Sequence, residues 1–378
     1  MSSPITHYFD YAASTPPFKE ALKLYMDASR QLFGNPSSVH TFGIAARESF
    51  RQAKSDLSGL CGFNSGFLLT TSGGTEGNNL VIRGVMERYP RGRLLLARDV
   101  HASCWFAENK YKKRTDLVPI DSSGNIIPSE LKKAIRAETK LCSVLFANNE
   151  TGIVHDVNMI GEICKAHAVL LHCDGVQAMG HLPLALDGLA FDFFTFSAHK
   201  FGGPRGIGGI FLRSSNFVSQ ISGGEQEQSL RAGTENVAGL QATVKALTSA
   251  TGTLAEQTTR LRDLSRLLVE LLRESSLDFV INSDLEAGLP GLVSISFPGI
   301  KGSAIVTELA LRGFGISAGS ACHSAKEEAS RVILAMGRSR RVAEGTIRIS
   351  MGRYTEREHV VALANVLKDS VEHQGLLA

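Results

Sequence analysis

The stretch that decides the fold reads Phe191-Asp192-Phe193-Phe194-Thr195-Phe196-Ser197-Ala198-His199-Lys200-Phe201-Gly202-Gly203-Pro204-Arg205-Gly206-Ile207-Gly208-Gly209. Its aromatic residues favour a buried strand, which delivers Lys200 into a turn whose glycines let the backbone approach a ligand closely. Burial lowers the pKa of a lysine, and a neutral amine can form a Schiff base with a carbonyl. Ser197 and His199 add hydrogen bonds for an anion. A lone lysine would more simply be a surface residue in a loop, but this combination predicts a cofactor lysine.

The flanking sequence predicts an α/β fold. Apolar, strand-like runs alternate with helical patterns, which is typical of a mostly parallel sheet covered by helices on both faces. The predicted strands span 66–70, 93–97, 116–120, 141–147, 169–173 and 191–196, and the predicted helices span 76–88, 103–112, 129–136 and 158–167. Beyond residue 234, one long helical stretch to about residue 275 leads into a smaller α/β segment. We expect a large domain at 14–254 and a small domain made of 1–13 and 255–378, with the boundary inside that long helix.

The composition is that of an ordinary globular protein. The 378 residues are 43% hydrophobic and 20% charged, and 40 basic against 37 acidic residues give a net charge of +3. This charge is too small to favour direct binding to nucleic acid or to a membrane surface. No apolar run is long enough to span a membrane, and the N-terminus has no signal-peptide pattern. The six cysteines show no disulfide framework, CxxC pair or metal-ligand spacing, so we expect reduced thiols in a cytoplasmic protein.

An anion site is predicted where a helix begins. The segment that follows the first strand and opens this helix reads Thr71-Ser72-Gly73-Gly74-Thr75-Glu76-Gly77. Free backbone N–H groups and the helix dipole favour a phosphate at such a junction, and Thr75 could add its hydroxyl. An ordinary helix cap with turn glycines is the simpler explanation for this segment alone. The segment is not a Walker loop, because no Gly-Lys-Ser/Thr follows.

Further polar residues follow other predicted strands. Asp174 ends a buried strand, where a carboxylate needs a partner such as a protonated pyridine nitrogen, and Gln177 could reach a hydroxyl on the same ring. A turn-capping role explains Asp174 about equally well. Asn148 and Asn149 have amides suited to a ring substituent, and His101 could stack on a flat cofactor, although a lone histidine is more often merely packed. All lie beyond the carboxyl ends of strands, where open α/β sheets bind ligands.

A Schiff-base lysine, a carboxylate for a pyridine nitrogen and a phosphate site at a helix N-terminus are the groups that bind pyridoxal phosphate. Their combination is far more specific than any one of them. In the second domain, Cys322 lies in a loop of Ser, Ala and Gly residues, which favours an accessible nucleophile over a packed thiol. Arg348, inside a predicted strand, could clamp a carboxylate in bidentate fashion or form a structural ion pair.

With these residues assembled, the chain resembles the cysteine desulfurases, the NifS/IscS-like branch of the class V aminotransferases, which are fold-type I pyridoxal phosphate enzymes. The likeness covers nearly the whole chain and implies a mostly parallel seven-stranded sheet flanked by helices, plus a smaller α/β domain. Its motifs are, in order, Tyr8-Phe9-Asp10-Tyr11-Ala12-Ala13, Gly34-Asn35-Pro36-Ser37-Ser38-Val39-His40, Ser72-Gly73-Gly74-Thr75-Glu76, Asn148-Asn149-Glu150-Thr151-Gly152, His172-Cys173-Asp174-Gly175-Val176-Gln177, Ser197-Ala198-His199-Lys200, Arg231-Ala232-Gly233-Thr234-Glu235-Asn236, Gly319-Ser320-Ala321-Cys322 and Ile347-Arg348-Ile349-Ser350.

The resemblance implies a role for each matching residue. Lys200 would carry the cofactor and act as a base, assisted by His101, and Cys322 would attack the substrate sulfur. At the cofactor ring, the resemblance implies that Asp174 contacts the pyridine nitrogen, Gln177 contacts the ring oxygen, His101 stacks on the ring, and Asn149 lies near the ring and the substrate. At the phosphate it implies contacts from Gly74, Thr75, Ser197 and His199, with Thr234 reaching the phosphate in the partner subunit. Asn35 and Arg348 would bind the substrate carboxylate. The contact by Thr234 makes a homodimer necessary for a complete site.

The implied reaction converts L-cysteine to L-alanine and leaves the sulfur as a persulfide on Cys322. The small-residue loop implies that this thiol then swings its sulfur out to an acceptor protein. The chain has His323 where the family commonly has threonine, and we hypothesise that His323 tunes the thiolate or its acceptor contacts. The chain ends soon after its last predicted helix, so we do not expect the extended tail through which some relatives dock an iron–sulfur scaffold. Acceptors in iron–sulfur cluster biosynthesis, in tRNA thiolation, in other cofactor pathways and in DNA phosphorothioation stay open.

Two alternatives to this prediction use the same fold. A selenocysteine lyase, C–S lyase or aminotransferase is the enzymatic alternative, and Cys322 discriminates, because plain transamination does not need it. A non-catalytic sulfur-acceptor or scaffold protein is the alternative from another class. Retention of Lys200, Asp174 and Arg348 together argues against it, because a binding module has no need of a Schiff-base lysine.

Overall fold

The computed structural model describes residues 5–319 and 329–377, which form two sheets with helices packed on them. The larger sheet has the strand order β1-β7-β6-β5-β4-β2-β3. Its strands are β1 (Phe67–Thr71), β2 (Arg93–Ala97), β3 (Thr115–Val118), β4 (Thr139–Leu145), β5 (Leu170–Asp174), β6 (Phe193–Ser197) and β7 (Gly208–Leu212). Strands β6, β5, β4, β2 and β3 are parallel neighbours, whereas β7 is antiparallel to both β6 and β1. The predicted α/β class with a mostly parallel seven-stranded sheet is confirmed.

The sequence pattern does not predict strand β7, because Gly208 and Gly209 are weak strand formers. The structure shows what these glycines do. A Cβ on Gly208 would lie 2.4 Å from the carbonyl oxygen of Phe196, and one on Gly209 would lie 2.8 Å from that of Leu69. The backbones of β1, β7 and β6 therefore approach too closely for a side chain at these two positions.

Helices connect the strands of the larger sheet and cover it. They are α1 (Lys19–Gln31), α2 (Thr41–Leu60), α3 (Gly74–Arg88), α4 (Ala102–Lys110), α5 (Pro128–Ala134), α6 (Val157–Ala166) and α7 (Val237–Gly252). Helix α3 packs against β1, β4, β5, β6 and β7, while α7 packs against α1 and α2. Because α3 begins directly after β1, its N-terminus lies at the edge of the sheet where the parallel strands end.

The core of the larger sheet is rich in phenylalanine. Phe193, Phe194, Phe196 and Phe211 are completely buried. The rings of Phe194 and Phe196 each lie within 6.4 Å of the Phe211 ring, centroid to centroid. Burial of a side chain of this size stabilises a protein by about 1.5–3 kcal/mol. The aromatic run that precedes Lys200 therefore anchors its strand in the centre of the core.

The smaller sheet is antiparallel and has the order β10-β11-β9-β8. Its strands are β8 (Val280–Ile281), β9 (Leu292–Ser296), β10 (Ser317–Ala318) and β11 (Thr346–Ser350), and the accompanying helices are α8 (Leu254–Arg273), α9 (Gly302–Leu311), α10 (Arg331–Ala335), α11 (Arg340–Glu344) and α12 (Arg357–Leu377). A second apolar core joins this sheet to α8, α9 and α12, and Phe9 from the start of the chain lies in it. The division into domains at 14–254 and at 1–13 with 255–378 stays a prediction.

The predicted long helix up to about residue 275 is two helices in the structure. Helix α7 ends at Gly252 and α8 begins at Leu254, with Thr253 between them at φ −117° and ψ 9°. Glycine and threonine are weaker helix formers than the surrounding residues, so the break falls at the point of lowest helix propensity. Within the described part of the chain, none of the helices is long and apolar enough to cross a membrane.

One buried ion pair ties a surface loop to the larger sheet. The side chain of Glu227 is 2% exposed and pairs with Lys54, whose side chain is 17% exposed. Glu227 also accepts a hydrogen bond from the Thr70 hydroxyl at 2.6 Å. Glu227, Gln228 and Ser229 all have positive φ, between 50° and 62°. Three consecutive non-glycine residues in this region are costly, so the ion pair and the bond to β1 hold this turn in place.

We expect Glu227→Ala to lower the free energy of unfolding by about 3 kcal/mol, because it removes the carboxylate that is bonded to the largely buried Lys54 ammonium. Urea unfolding of the purified protein measures this loss. Glu286→Ala is the matched control, since Glu286 pairs with Arg266 on the surface, and it should change stability very little. Equal effects of the two substitutions would contradict the importance of the buried pair.

Candidate active site

A cavity of about 660 Å³ opens where the parallel strands of the larger sheet end. It is lined by ten of the residues singled out from the sequence: Gly74, Thr75, His101, Asn149, Asp174, Gln177, Ser197, His199, Lys200 and Arg348. The first nine lie at or just beyond the carboxyl ends of β1, β2, β4, β5 and β6, and Arg348 comes from β11 of the smaller sheet. The structure therefore brings most of the predicted site together in one place.

The amine of Lys200 points at the start of the chain. Its Nζ donates hydrogen bonds to the carbonyl oxygens of Ala12 at 2.7 Å and Ala13 at 3.0 Å. The Thr15 hydroxyl donates to the carbonyl oxygen of Lys200 at 2.6 Å, and the Gln177 amide donates to that of Ala12 at 2.8 Å. Residues 12–15 therefore hold both the backbone and the amine of Lys200 at the cavity wall.

Asp174 presents a buried carboxylate to the cavity and is 2% exposed. Its Oδ2 accepts a hydrogen bond from the Asn78 amide at 2.6 Å, and its Oδ1 accepts one from the backbone N–H of Val176 at 3.1 Å. Burial raises the pKa of Asp174, while the interaction with His101 in its protonated form, the two hydrogen bonds and Lys200 oppose that rise. A cationic ring nitrogen at this position would stabilise the charged form of the carboxylate further.

The imidazole of His101 is oriented by Ser103 at the start of α4. The backbone N–H of Ser103 donates to Nδ1 at 3.1 Å, and the Ser103 hydroxyl lies 2.8 Å from the same atom. Because Nδ1 accepts a bond from a backbone N–H, the proton of the neutral ring is on Nε2. Burial lowers the pKa of His101, Asp174 opposes this, and Lys200, Arg331 and Arg348 add to the lowering. His101 is therefore a neutral ring at neutral pH.

The N-terminus of α3 forms the anion end of the cavity. Gly73 precedes the helix at φ +152° and supplies no capping side chain, so the N–H groups of the first turn point towards the cavity uncapped. A Cβ on Gly74 would lie 2.6 Å from Cγ2 of Val176. Burial lowers the pKa of His199 to about 4, with Lys200 and Arg205 adding to the effect. A neutral histidine, a serine and a helix N-terminus together suit a phosphate.

Arg348 is 3% exposed and holds two parts of the chain together. Its Nη1 donates to the carbonyl oxygen of Asn149 at 2.8 Å, and its Nη2 donates to Oδ1 of Asp10 at 2.7 Å. Its Nε is buried without a hydrogen-bond partner among residues 5–319 and 329–377. The guanidinium also lines the cavity and carries five N–H donors, so a ligand carboxylate gains a favourable contact there.

Two predicted residues lie away from the cavity of their own chain. Asn35 and Thr234 are both exposed, and neither lines the cavity. The side chain of Asn35 accepts a hydrogen bond from the backbone N–H of Ser37 at 2.9 Å. Cys322 and His323 lie outside the described residues. Gly319, which lines the cavity, is three residues before Cys322 in the sequence.

Sequence reasoning missed several residues that the structure places in or beside the site. Asn78, which bonds Asp174, follows Gly74 by four residues on α3 and so shares its face of the helix; this spacing was an available signal. Asp10, which pairs with Arg348, stands inside the first motif but was not singled out. Glu150, Trp105 and Arg331 also line the cavity. Only the tertiary structure shows the partners of these three.

The site combines four chemical functions. It offers a helix N-terminus for a phosphate, a primary amine, a buried carboxylate and a guanidinium. Within the described residues, no group of three or more His, Cys, Asp or Glu side chains could hold a metal ion. The described residues therefore fit an anionic cofactor with an aldehyde and a basic ring nitrogen, together with a small carboxylate substrate.

Comparison with known proteins agrees with this arrangement. The model of the aminotransferase class-V family matches residues 7–363. A cysteine desulfurase IscS from Dictyoglomus turgidum is 36% identical over 372 residues, covering 97% of this chain and 94% of the relative. Among solved structures, a NifS-like protein superposes with a TM-score of 0.88 at 32% identity, covering 98% of this chain and 99% of the other. Another, described as SspA in complex with cysteine, gives a TM-score of 0.78 at 28% identity over 93% of this chain and all of the other. The resemblance found in the sequence is confirmed, and this chain belongs to the cysteine desulfurase branch of the class-V aminotransferase family.

Proposed function

We propose that this protein is a pyridoxal phosphate-dependent cysteine desulfurase, which converts L-cysteine to L-alanine and transfers the sulfur as a persulfide on Cys322 to an acceptor protein. One observation carries the proposal above all. The cavity that holds Lys200 and Asp174 is also lined by Gly319, three residues before Cys322. Three residues span at most about 10 Å, so this connection keeps the thiol within reach of the cavity. A transaminase has no need of a cysteine there.

The cofactor assignment rests on the family and on the fit of the described residues. Gly74, Thr75, Ser197 and His199 would bind its phosphate, Lys200 would hold its aldehyde, and Asp174 would face its ring nitrogen. Two features favour such a group: the first turn of α3, which Gly73 leaves without a capping side chain, and the buried carboxylate of Asp174. Gln177 and His101 would contact its ring. When bound, pyridoxal phosphate supplies an electron sink for negative charge on the α carbon of the substrate.

The residues of the chain then divide the work on the substrate. Arg348 binds the substrate carboxylate, because its guanidinium lines the cavity and suits a bidentate contact with a carboxylate. The amine of Lys200 takes the α proton, and the neutral ring of His101 assists with the proton on its Nε2. The solved structure described as SspA in complex with cysteine supports cysteine as the substrate here. Asn149 is held beside this centre by the bond from Arg348 to its carbonyl oxygen.

Sulfur transfer requires the thiolate of Cys322. A new sulfur–sulfur bond forms as the carbon–sulfur bond of the substrate breaks, and the electron pair of that bond stays with the carbon skeleton. Protonation of the skeleton at the former sulfur-bearing carbon gives alanine, and a persulfide remains on Cys322. The sulfur then passes to an acceptor protein of iron–sulfur cluster, thio-nucleoside or DNA phosphorothioate biosynthesis.

A homodimer would complete the site. Phe33, Val39 and Phe42 expose 69%, 89% and 59% of their surfaces in and beside the loop that also holds Asn35. Such an apolar surface is typical of a protein interface. Because Asn35 and Thr234 lie outside the cavity of their own chain, both would serve the cavity of a partner subunit.

The five described cysteines are free, as in proteins of a reducing compartment, and we infer a cytoplasmic location.

The first test is incubation of the purified protein with L-cysteine, scoring alanine and sulfide in the presence of a thiol reductant. We expect the wild type to form both alanine and sulfide. Cys322→Ser should form neither product, because it cannot carry the persulfide. Lys200→Ala should lower the rate at least about 10²-fold. Lys165→Ala, which changes an exposed lysine of α6, is the control and should retain full activity. Alanine formed equally well by Cys322→Ser would favour a C–S lyase, and no turnover of cysteine by the wild type would contradict the proposal.

Sedimentation tests the dimer. We expect the wild type to sediment as a dimer and Phe42→Glu to shift it towards inactive monomers, since the change places a charge in the exposed apolar loop. Leu376→Glu is the matched control, because Leu376 is 87% exposed near the other end of the chain and should leave the dimer intact. A fully active monomeric wild type would refute the requirement for a second subunit.

A further inference from the structure

Glu150 is a cavity residue that none of the roles above uses. It follows Asn149 directly, beyond the end of β4, and its side chain lines the cavity. Its Oε2 accepts a hydrogen bond from the Ser330 hydroxyl at 2.6 Å. Ser330 is 2% exposed and also caps α10, where its Oγ accepts from the backbone N–H of Ile333 at 3.3 Å. A carboxylate that follows a strand of the larger sheet is thus bonded to the residue that caps α10.

The same carboxylate lies near Gly319. A Cβ placed on Gly319 would be 3.4 Å from Oε2 of Glu150 and 3.3 Å from Cβ of Ser330. The backbone N–H of Gly319 donates to the carbonyl oxygen of Thr346 at 3.1 Å. Gly319 and Ser330 are separated in sequence by the ten residues 320–329, which include Cys322. Glu150 is therefore bonded to Ser330 on one side of the stretch that carries the proposed nucleophile and lies near Gly319 on the other side.

The charge on Glu150 is set by groups from three other parts of the fold. Arg331 of α10 and Arg348 of β11 favour the carboxylate, whereas Asp99, after β2, disfavours it. Lys200 and His101 line the same cavity. Burial has the largest effect and raises the pKa of Glu150 to about 7; the hydrogen bond from Ser330 and the two arginines oppose this rise, and Asp99 adds to it.

We propose that Glu150 is a positioning residue for sulfur transfer: by bonding Ser330, its carboxylate holds in place the residue at the C-terminal flank of the stretch that carries Cys322. This inference rests on the proposed desulfurase function. A hydrogen bond to a carboxylate is roughly twice as strong as one to a neutral acceptor. The contact with Ser330 is therefore stronger when Glu150 is ionised, and positioning improves as Glu150 loses its proton.

The decisive measurement is the ratio of wild-type to Glu150→Gln rates for alanine formation in a single turnover, between pH 6 and pH 8. A ratio cancels the titration of every group that the two proteins share. We expect it to be close to one at pH 6, where both side chains are neutral, and to rise through a midpoint near pH 7. A ratio that stays constant across this range would overturn the proposal.

Ser330→Ala removes the hydrogen bond to Glu150 but leaves the carboxyl group of Glu150 in place. This variant should lower the single-turnover rate about tenfold at pH 8, which corresponds to a hydrogen bond to a charged group, with little change in the KM for cysteine. In the Ser330→Ala background, Glu150→Gln should have no further effect, because the two residues act through one contact. Ser339→Ala is the matched control: Ser339 caps α11 in the same way, with Oγ 3.3 Å from the N–H of Val342, but does not line the cavity. Additive effects of the Glu150 and Ser330 substitutions would refute the shared role.

A measurement independent of turnover checks the ionisation of Glu150. A carboxyl group whose pKa is raised in the folded protein keeps its proton at pH values where the same group in the unfolded chain is ionised. The folded protein therefore becomes less stable as pH rises from about 4.5 to about 7. The Tm of the wild type should therefore fall relative to that of Glu150→Gln over this range. Failure of the wild type to turn over cysteine would refute the function, whereas an active wild type with an unchanged Tm difference and rate ratio would refute only the role of Glu150.

Discussion

The parallel arrangement of the central strands is the constraint on which the site depends. Strands that run in the same direction end at the same edge of the sheet, so the residues that follow them meet in space although they are far apart in sequence. Here the ends of β1, β2, β4, β5 and β6 supply, in turn, the anion turn, an imidazole, an amide, a carboxylate and an amine. These five polar groups lie at or beyond the ends of their strands, so none of them has to enter the phenylalanine core.

Burial controls the charges at this edge. It raises the pKa of the carboxyl groups of Asp174 and Glu150 and lowers the pKa of His101 and His199. Both effects disfavour the charged forms of these side chains. Burial therefore weakens the negative charge that the two carboxyl groups contribute to the site. Lys200, Arg348 and the uncapped N-terminus of α3 then make the cavity attractive to anions. A phosphate and a carboxylate are the ligands that such a cavity selects.

The smaller sheet completes the site through a few specific contacts. Arg348 on β11 reaches Asp10 and the carbonyl oxygen of Asn149, so it joins the start of the chain, the larger sheet and the smaller sheet at one point. Ser330 makes a second such connection through Glu150. These contacts join the two sheets beside the cavity that Lys200 lines.

The sequence by itself determined the fold class, the family and ten residues that line one cavity, because glycine turns, buried strands and motif order are local properties of the chain. It did not predict β7, whose glycines are required only by the approach of β1 and β6, or the break at Thr253. Nor did it single out Asn78, Asp10 or Glu150 as working residues. Their roles depend on partners 96, 338 and 180 residues away in sequence. Only the tertiary structure decides such pairings, because hydrogen bonds and ion pairs act over a few ångströms in space, whatever the separation along the chain.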